Sequence, residues 1–162
     1  MPKANSWVVP TSFALLALTQ CLPESQPRRV RARITHRIEM LLDRVCPNGG
    51  WNAGNGVVYG VPLAPHLDDT AIALLALRGQ KQTPVVSASL SWLEDRSLCC
   101  AAPLSLAWSI LALRAHGQTV TRQTQHLANI AGAAQIHDNA TLATVALALG
   151  RANGKNVFEV QS

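Results

Sequence analysis

The stretch His66-Leu67-Asp68-Asp69-Thr70-Ala71-Ile72-Ala73-Leu74-Leu75-Ala76-Leu77 decides the fold of this chain. Two adjacent carboxylates open an otherwise unbroken apolar run, which reads as a helix with its only concentrated charge at the N-terminus. The apolar half recurs: residues 14–18 and 73–77 both read ALLAL, residues 109–113 read SILAL and residues 145–149 read VALAL. The last three begin about 36 residues apart and the first gap is longer by about 23 residues, so a period in the helical-hairpin range is interrupted once by an insertion.

That insertion lies immediately before the quoted helix, over residues 46–66. It holds Gly49, Gly50, Gly54, Gly56 and Gly60 with Pro47, Pro62 and Pro65, a density that argues against any regular element. A loop of that length inside a compact domain is usually functional or anchored, and Trp51 and Tyr59 are the expected anchors. Before it, a helix is expected over residues 11–21, entered through Pro10 and ended by Pro23. A second helix is expected over residues 27–45. On a helical wheel Val30, Ile34, Ile38, Leu41, Leu42 and Val45 share one arc, while Arg28, Arg29, Arg33, Arg37 and Arg44 lie off it.

The apolar helix itself is expected over residues 69–77, with Gly79 as its stop. Beyond it, helices are expected over residues 84–93, with Val86, Leu90 and Leu93 on one side, and over 103–114, 121–133 and 139–151. Gly117, and Gly150 with Gly154, mark two of the ends. Four apolar helices thus alternate with three one-faced helices. In a two-layer array the apolar helices form the inner layer and the one-faced helices the outer.

The bulk numbers agree. The 162 residues make a single domain, 48% hydrophobic and only 14% charged, which excludes a disordered chain and requires most helices to be buried on at least one side. The net charge of +5 is a mild excess that suits an anionic partner or membrane surface. Cys21, Cys46, Cys99 and Cys100 show no CxxC spacing, and the adjacent pair is poorly placed for bridging, so reduced thiols and a cytoplasmic setting are expected. Lys3 before an apolar run to Leu18 has the flavour of a signal peptide, but Pro10 interrupts the run and no small-x-small site follows. No stretch approaches the roughly 20 apolar residues that span a bilayer, so membrane contact is expected to be peripheral. The arginine-rich back of the second helix is a solvated face or a patch for anionic headgroups. Without interleaved aromatics, nucleic acid is the weaker partner.

The helix alternation, the Gly49-Gly50-Trp51 turn and the Asp68-Asp69-Thr70-Ala71 opening of an inner helix resemble the squalene-hopene cyclase and prenyltransferase repeat superfamily. The resemblance implies an all-α fold, an α/α toroid of the terpenoid cyclase type whose inner helices line an apolar cavity for an isoprenoid chain. It implies acid-initiated cyclisation of a polyisoprenoid, in which the central Asp of a DxDD-Thr-Ala motif protonates a double bond or epoxide. Asp68 matches the central Asp and Asp69 the last, while His66 replaces the first. The Gly-x-Trp turn is similar to the end of the family's QW repeat, with Val45 and Asn48 at the positions of its glutamine and acidic residue. No counterpart of the prenyltransferase zinc set is visible, and no metal or cofactor is expected. Seven helices amount to about half a toroid, so a cavity is expected to close through self-association or a longer parent chain.

Each residue also has a plainer role. In the repeat register Asp69 aligns with Pro10, Ser105 and Thr141, all helix-start types, so a capping role is expected for it. Asp68 aligns with Val9, Leu104 and Ala140, so the scaffold does not demand a carboxylate there. A buried Asp68 beside the like charge of Asp69 would retain a proton to donate. His66 is a hydrogen-bond partner for Asp68, half of an insufficient His-x-Asp metal pair, or a loop residue without chemistry. Gly49, Gly50 and Trp51 are expected to wedge one hairpin against the next. The rival to a cyclase is a non-catalytic repeat scaffold that binds a protein or lipid. The chain's few aromatic residues favour that rival, because cyclases steer carbocations with aromatic faces.

Overall fold

A computed structural model describes residues 7–20, 27–80, 83–133 and 136–150, and the statements below concern those residues. They form seven α-helices, α1 (Val8–Gln20), α2 (Arg28–Asp43), α3 (Leu67–Leu77), α4 (Pro84–Ser97), α5 (Pro103–Ala115), α6 (Thr121–Ala133) and α7 (Asn139–Leu149), and two short strands, β1 (Val57–Val58) and β2 (Val61–Pro62). The expectations that rest on Lys3, Cys21, Pro23, Arg151 and Gly154 lie outside the described residues.

Local chemistry sets the helix boundaries. Pro10 sits in the first turn of α1, where its missing N–H costs no helical bond, so the helix starts at Val8, before the proline. Thr83 caps α4, its side chain accepting from Val86 N–H at 3.3 Å, and Asp138 caps α7, accepting from Thr141 N–H at 2.7 Å. Neither glycine nor proline interrupts residues 94–97, and α4 continues past Leu93 to Ser97. Gly117 ends α5 at φ +73°, with Gln118 N–H donating back to Leu113 O at 3.0 Å.

Packing sorts the helices into two rows. Helix α3 packs on α1 and on α5, and α5 packs on α7; the second row places α2 on α1, α4 against α3 and α5, and α6 against α5 and α7. Every residue of α3 from Asp69 onward is buried. Helices α1 and α7, equally apolar in sequence, leave Phe13, Leu142 and Leu147 exposed. The difference is positional, because α3 and α5 have row neighbours on both flanks while α1 and α7 have one among the described residues. Helix α2 buries Leu41 fully and sets Ile34, Ile38 and Leu42 half-buried against the core, as is Val45 just after it, with Arg28, Arg29 and Arg33 outward. No described helix is long and apolar enough to cross a membrane.

The insertion corrects two expectations. It contains regular structure: β1 and β2 pair antiparallel, Val57 with Pro62 and Val58 with Val61. Tyr59 and Gly60 between them have φ of +50° and +78°, the pairing of positive angles that a type I′ turn needs. Tyr59 is also no anchor, since its side chain is fully exposed at the tip of this hairpin. Trp51 anchors alone and is fully buried.

Candidate functional site: a carboxylate cleft at the start of α3

Trp51 positions the start of α3. Its indole Nε1–H donates to Leu41 O at 2.6 Å, tying the insertion to the end of α2. Its backbone N–H donates to Thr70 Oγ1 at 2.9 Å, and its carbonyl accepts from the Thr70 hydroxyl at 3.1 Å and from His66 N–H at 2.8 Å. Gly50 makes this approach possible: at φ +76° it donates its N–H to Ser89 Oγ at 2.9 Å, joining the turn to α4. One glycine-tryptophan turn thus connects α2, α3 and α4. Thr70 was named only as part of the Asp68-Asp69-Thr70-Ala71 motif and Ser89 not at all, although both are buried and bond the turn, because small hydroxyl residues within helices are more often solvent-facing or bonded to their own helix.

The two aspartates have separate fates. His66 is the N-cap residue of α3 in extended conformation, and Asp69 stands at the third helical position. In a capping box the third-position carboxylate would reach back to the N-cap N–H. That N–H is already held by Trp51 O, and Asp69 Oδ2 instead lies 2.9 Å from His66 Nδ1, accepting from the ring. The cap expected of Asp69 is therefore a side-chain pair, and His66 bonds Asp69, not Asp68. Asp69 is the buried one of the pair, while Asp68, for which a buried position was considered, is half-buried. The register accounts for Asp68, because Val9 and Leu104 are half-buried and Ala140 is exposed at the equivalent position. Both carboxylates remain within the first turn, where the helix dipole favours negative charge.

Asp68, Asp69 and His66 line an open cleft of about 1200 Å³. Its far wall comes from Trp92 and Arg96 on α4, from Cys99 and Cys100 in the loop after it, and from Ser105 in the first turn of α5. The site is thus built where two helices of one row begin. None of these far-wall residues had been named as part of a site. The signal was present, since a shift of one repeat carries Asp69 onto Ser105.

The charges of the cleft act on nearby thiols. Burial pushes the Cys100 thiol up, and the charge of Asp68 adds to it against the lowering effect of its bonds to the backbone at Ala102 and Leu106. Cys46 is likewise pushed up by burial and by Asp69, with its contact to Asn52 opposing. Cys46, Cys99 and Cys100 are free thiols, and the described residues contain no cluster of three or more His, Cys, Asp or Glu able to hold a metal ion. Comparison with protein-family models, with curated proteins and with solved structures returns no match for this chain.

Proposed function

We propose that this chain is a helical-hairpin repeat protein of the terpenoid cyclase type, in which Asp68 is the acid that starts cyclisation of a polyisoprenoid. The observation that carries this reading is the division of labour within one carboxylate pair: Asp69 is buried against His66 and held, while Asp68 is half-buried and faces a cleft. In this role Asp68 gives its proton to a terminal double bond, leaving a tertiary carbocation that ring closure passes on to a ring carbon; loss of a proton to water there ends the reaction, and water returns a proton to Asp68. Asp69 orients Asp68 and keeps negative charge near the developing cation, and His66 fixes Asp69. The row of α1, α3, α5 and α7 forms the wall of an arc that a second copy or further chain completes around the isoprenoid.

The test is incubation of the purified protein with a linear polyprene in deuterated water, followed by mass spectrometry of the products. A cyclic product bearing one deuterium per initiation is expected, and Asp68→Asn should abolish it; turnover that survives in Asp68→Asn removes the acid role. The second reading is a non-catalytic scaffold that binds a protein or an apolar ligand. It draws support from the cleft wall, where among the described residues Trp92 is the single indole and no phenyl or phenol ring stands to steer a cation. Ligand binding without product, unchanged by Asp68→Asn, selects it.

A further inference from the structure

The hairpin over residues 57–62 has a composition that folding does not account for. Val57 is 45% exposed, Val61 60% and Leu63 40%, and Tyr59 is wholly exposed, so four apolar side chains stand in solvent within seven residues. Scattered exposed hydrophobes need no explanation, but this tip exposes them on both faces, Val57 on the face of Pro62 and Val61 on the face of Val58, with Tyr59 at the turn. Tyr59 adds a backbone argument. It is the non-glycine residue at positive φ among those described, at a turn position where asparagine or glycine fits with less strain. A tyrosine that strains its backbone and touches nothing contributes nothing to this fold that asparagine would not improve.

Charge then distinguishes between partners. From Pro47 to Pro65 the chain carries no charged residue, so this excursion can leave water without stripping an ion. The base of the hairpin rests on the segment that follows α2: a Cβ at Gly56 would collide with the Val45 carbonyl oxygen. Helix α2 carries Arg28, Arg29, Arg31, Arg33 and Arg37 before its first acidic residue, Glu39, and so holds most of the chain's positive excess. An uncharged apolar tip on the excursion that follows a cationic helix is the pattern of a peripheral protein on an anionic bilayer. A nucleic acid would use the arginines and leave Val57, Val61 and Leu63 without a role.

We propose that the β1–β2 hairpin is a membrane-docking element that inserts Val57, Tyr59, Val61 and Leu63 into the interfacial layer of a bilayer containing anionic lipid, with the arginines of α2 supplying the electrostatic attraction. Tyrosine suits that depth, because its ring lies among acyl chains while its hydroxyl stays with the headgroups. The docking is independent of the chemistry in the cleft and stands whether or not Asp68 is an acid.

The test is flotation of the full chain with phosphatidylcholine vesicles doped with phosphatidylserine, with pure phosphatidylcholine vesicles in parallel. The wild type is expected to float with the doped vesicles and to lose about tenfold or more in partitioning when salt is raised several-fold. Tyr59→Asn relieves the turn and keeps the fold, verified by circular dichroism, yet should lower partitioning about tenfold. Tyr59→Trp should restore it. Arg29→Glu with Arg33→Glu, both exposed positions, should lower binding to the doped vesicles alone. Absence of wild-type flotation, or a folded Tyr59→Asn that floats as well as wild type, overturns the proposal. So does retention on a polyuridylate resin, unaffected by Tyr59→Asn, in a protein that ignores vesicles, which would assign the arginine helix to nucleic acid.

Discussion

Replacing Gly50 by alanine tests whether the glycine-tryptophan turn holds α2, α3 and α4 together, and three glycines in this chain allow the effect to be dissected. An added Cβ at Gly50 would lie 2.8 Å from Thr70 Oγ1, 2.9 Å from Pro65 Cβ and 3.3 Å from Trp92 Cε3, on a backbone at φ +76°. The left-handed conformation costs an L-residue about 1–2 kcal/mol. Forcing a methyl into a packed site costs about 1–3 kcal/mol more. Gly117 is also left-handed, at φ +73°, but an added Cβ meets nothing within 4 Å, so Gly117→Ala isolates the backbone part, about 1–2 kcal/mol. Gly54 has neither feature, and Gly54→Ala should be neutral or stabilising by about 0.4–1 kcal/mol. Gly50→Ala is thus expected to lose about 2–5 kcal/mol, a large part of the 5–15 kcal/mol by which a domain is stable. Urea unfolding followed by helical circular dichroism gives all three values. If Gly50→Ala falls within about 1 kcal/mol of Gly117→Ala, the turn yields without penalty and is not the junction described here.

Two further outcomes follow from the same geometry. Asp138 is held below its ordinary carboxylate value mainly by the N–H and side chain of Thr141, so its capping contribution is present above the unfolded carboxylate value and lost as pH falls through the folded one. Acid unfolding should therefore weaken α7 in that window, and Asp138→Asn should remove this component of the pH dependence, read as a flatter melting-temperature profile in mild acid. Brief alkylation of the native protein with iodoacetamide at neutral pH should mark exposed Cys99 before Cys46 and Cys100, whose thiols burial pushes up, as peptide mass mapping will report. Equal labelling of Cys100 and Cys99 would mean that the cleft wall opens readily.

The helices were readable from sequence because their signals are local. Apolar spacing, Pro10, Pro84 and Pro103 near starts, and Gly117 at an end act within a turn or two, and α6 has its expected bounds. The start of α3 moved from Asp69 to Leu67 because Trp51, distant in sequence, holds His66 in extended conformation and lets the helix begin directly after it. The cleft was half readable for the same reason. His66, Asp68 and Asp69 occupy one helical turn and could be named together, whereas Trp92, Arg96 and Cys100 reach the cleft through the packing of α4 against α3. The hairpin was missed because Tyr59-Gly60 departs from the asparagine-glycine turn signature, and glycine-proline density masked two short valine pairs.

The excursion from Cys46 to His66 closes on itself in three steps, of which the last two are nested. Cys46 N–H meets Gly50 O at 2.8 Å, Gly56 O accepts from Leu63 N–H at 2.8 Å, and Trp51 O receives His66 N–H at 2.8 Å. The chain entropy of a long connection is thereby divided among short closures, and the widest of these holds His66, the N-cap residue two before Asp68, outside the hairpin's own closure. Lengthening the tip beyond the Gly56–Leu63 closure costs only about 0.6 kcal/mol per doubling of the enclosed segment. The tip can therefore be rebuilt, shortened or fused to another sequence while the carboxylates keep their places, which makes residues 57–62 a natural insertion point for a reporter or affinity peptide.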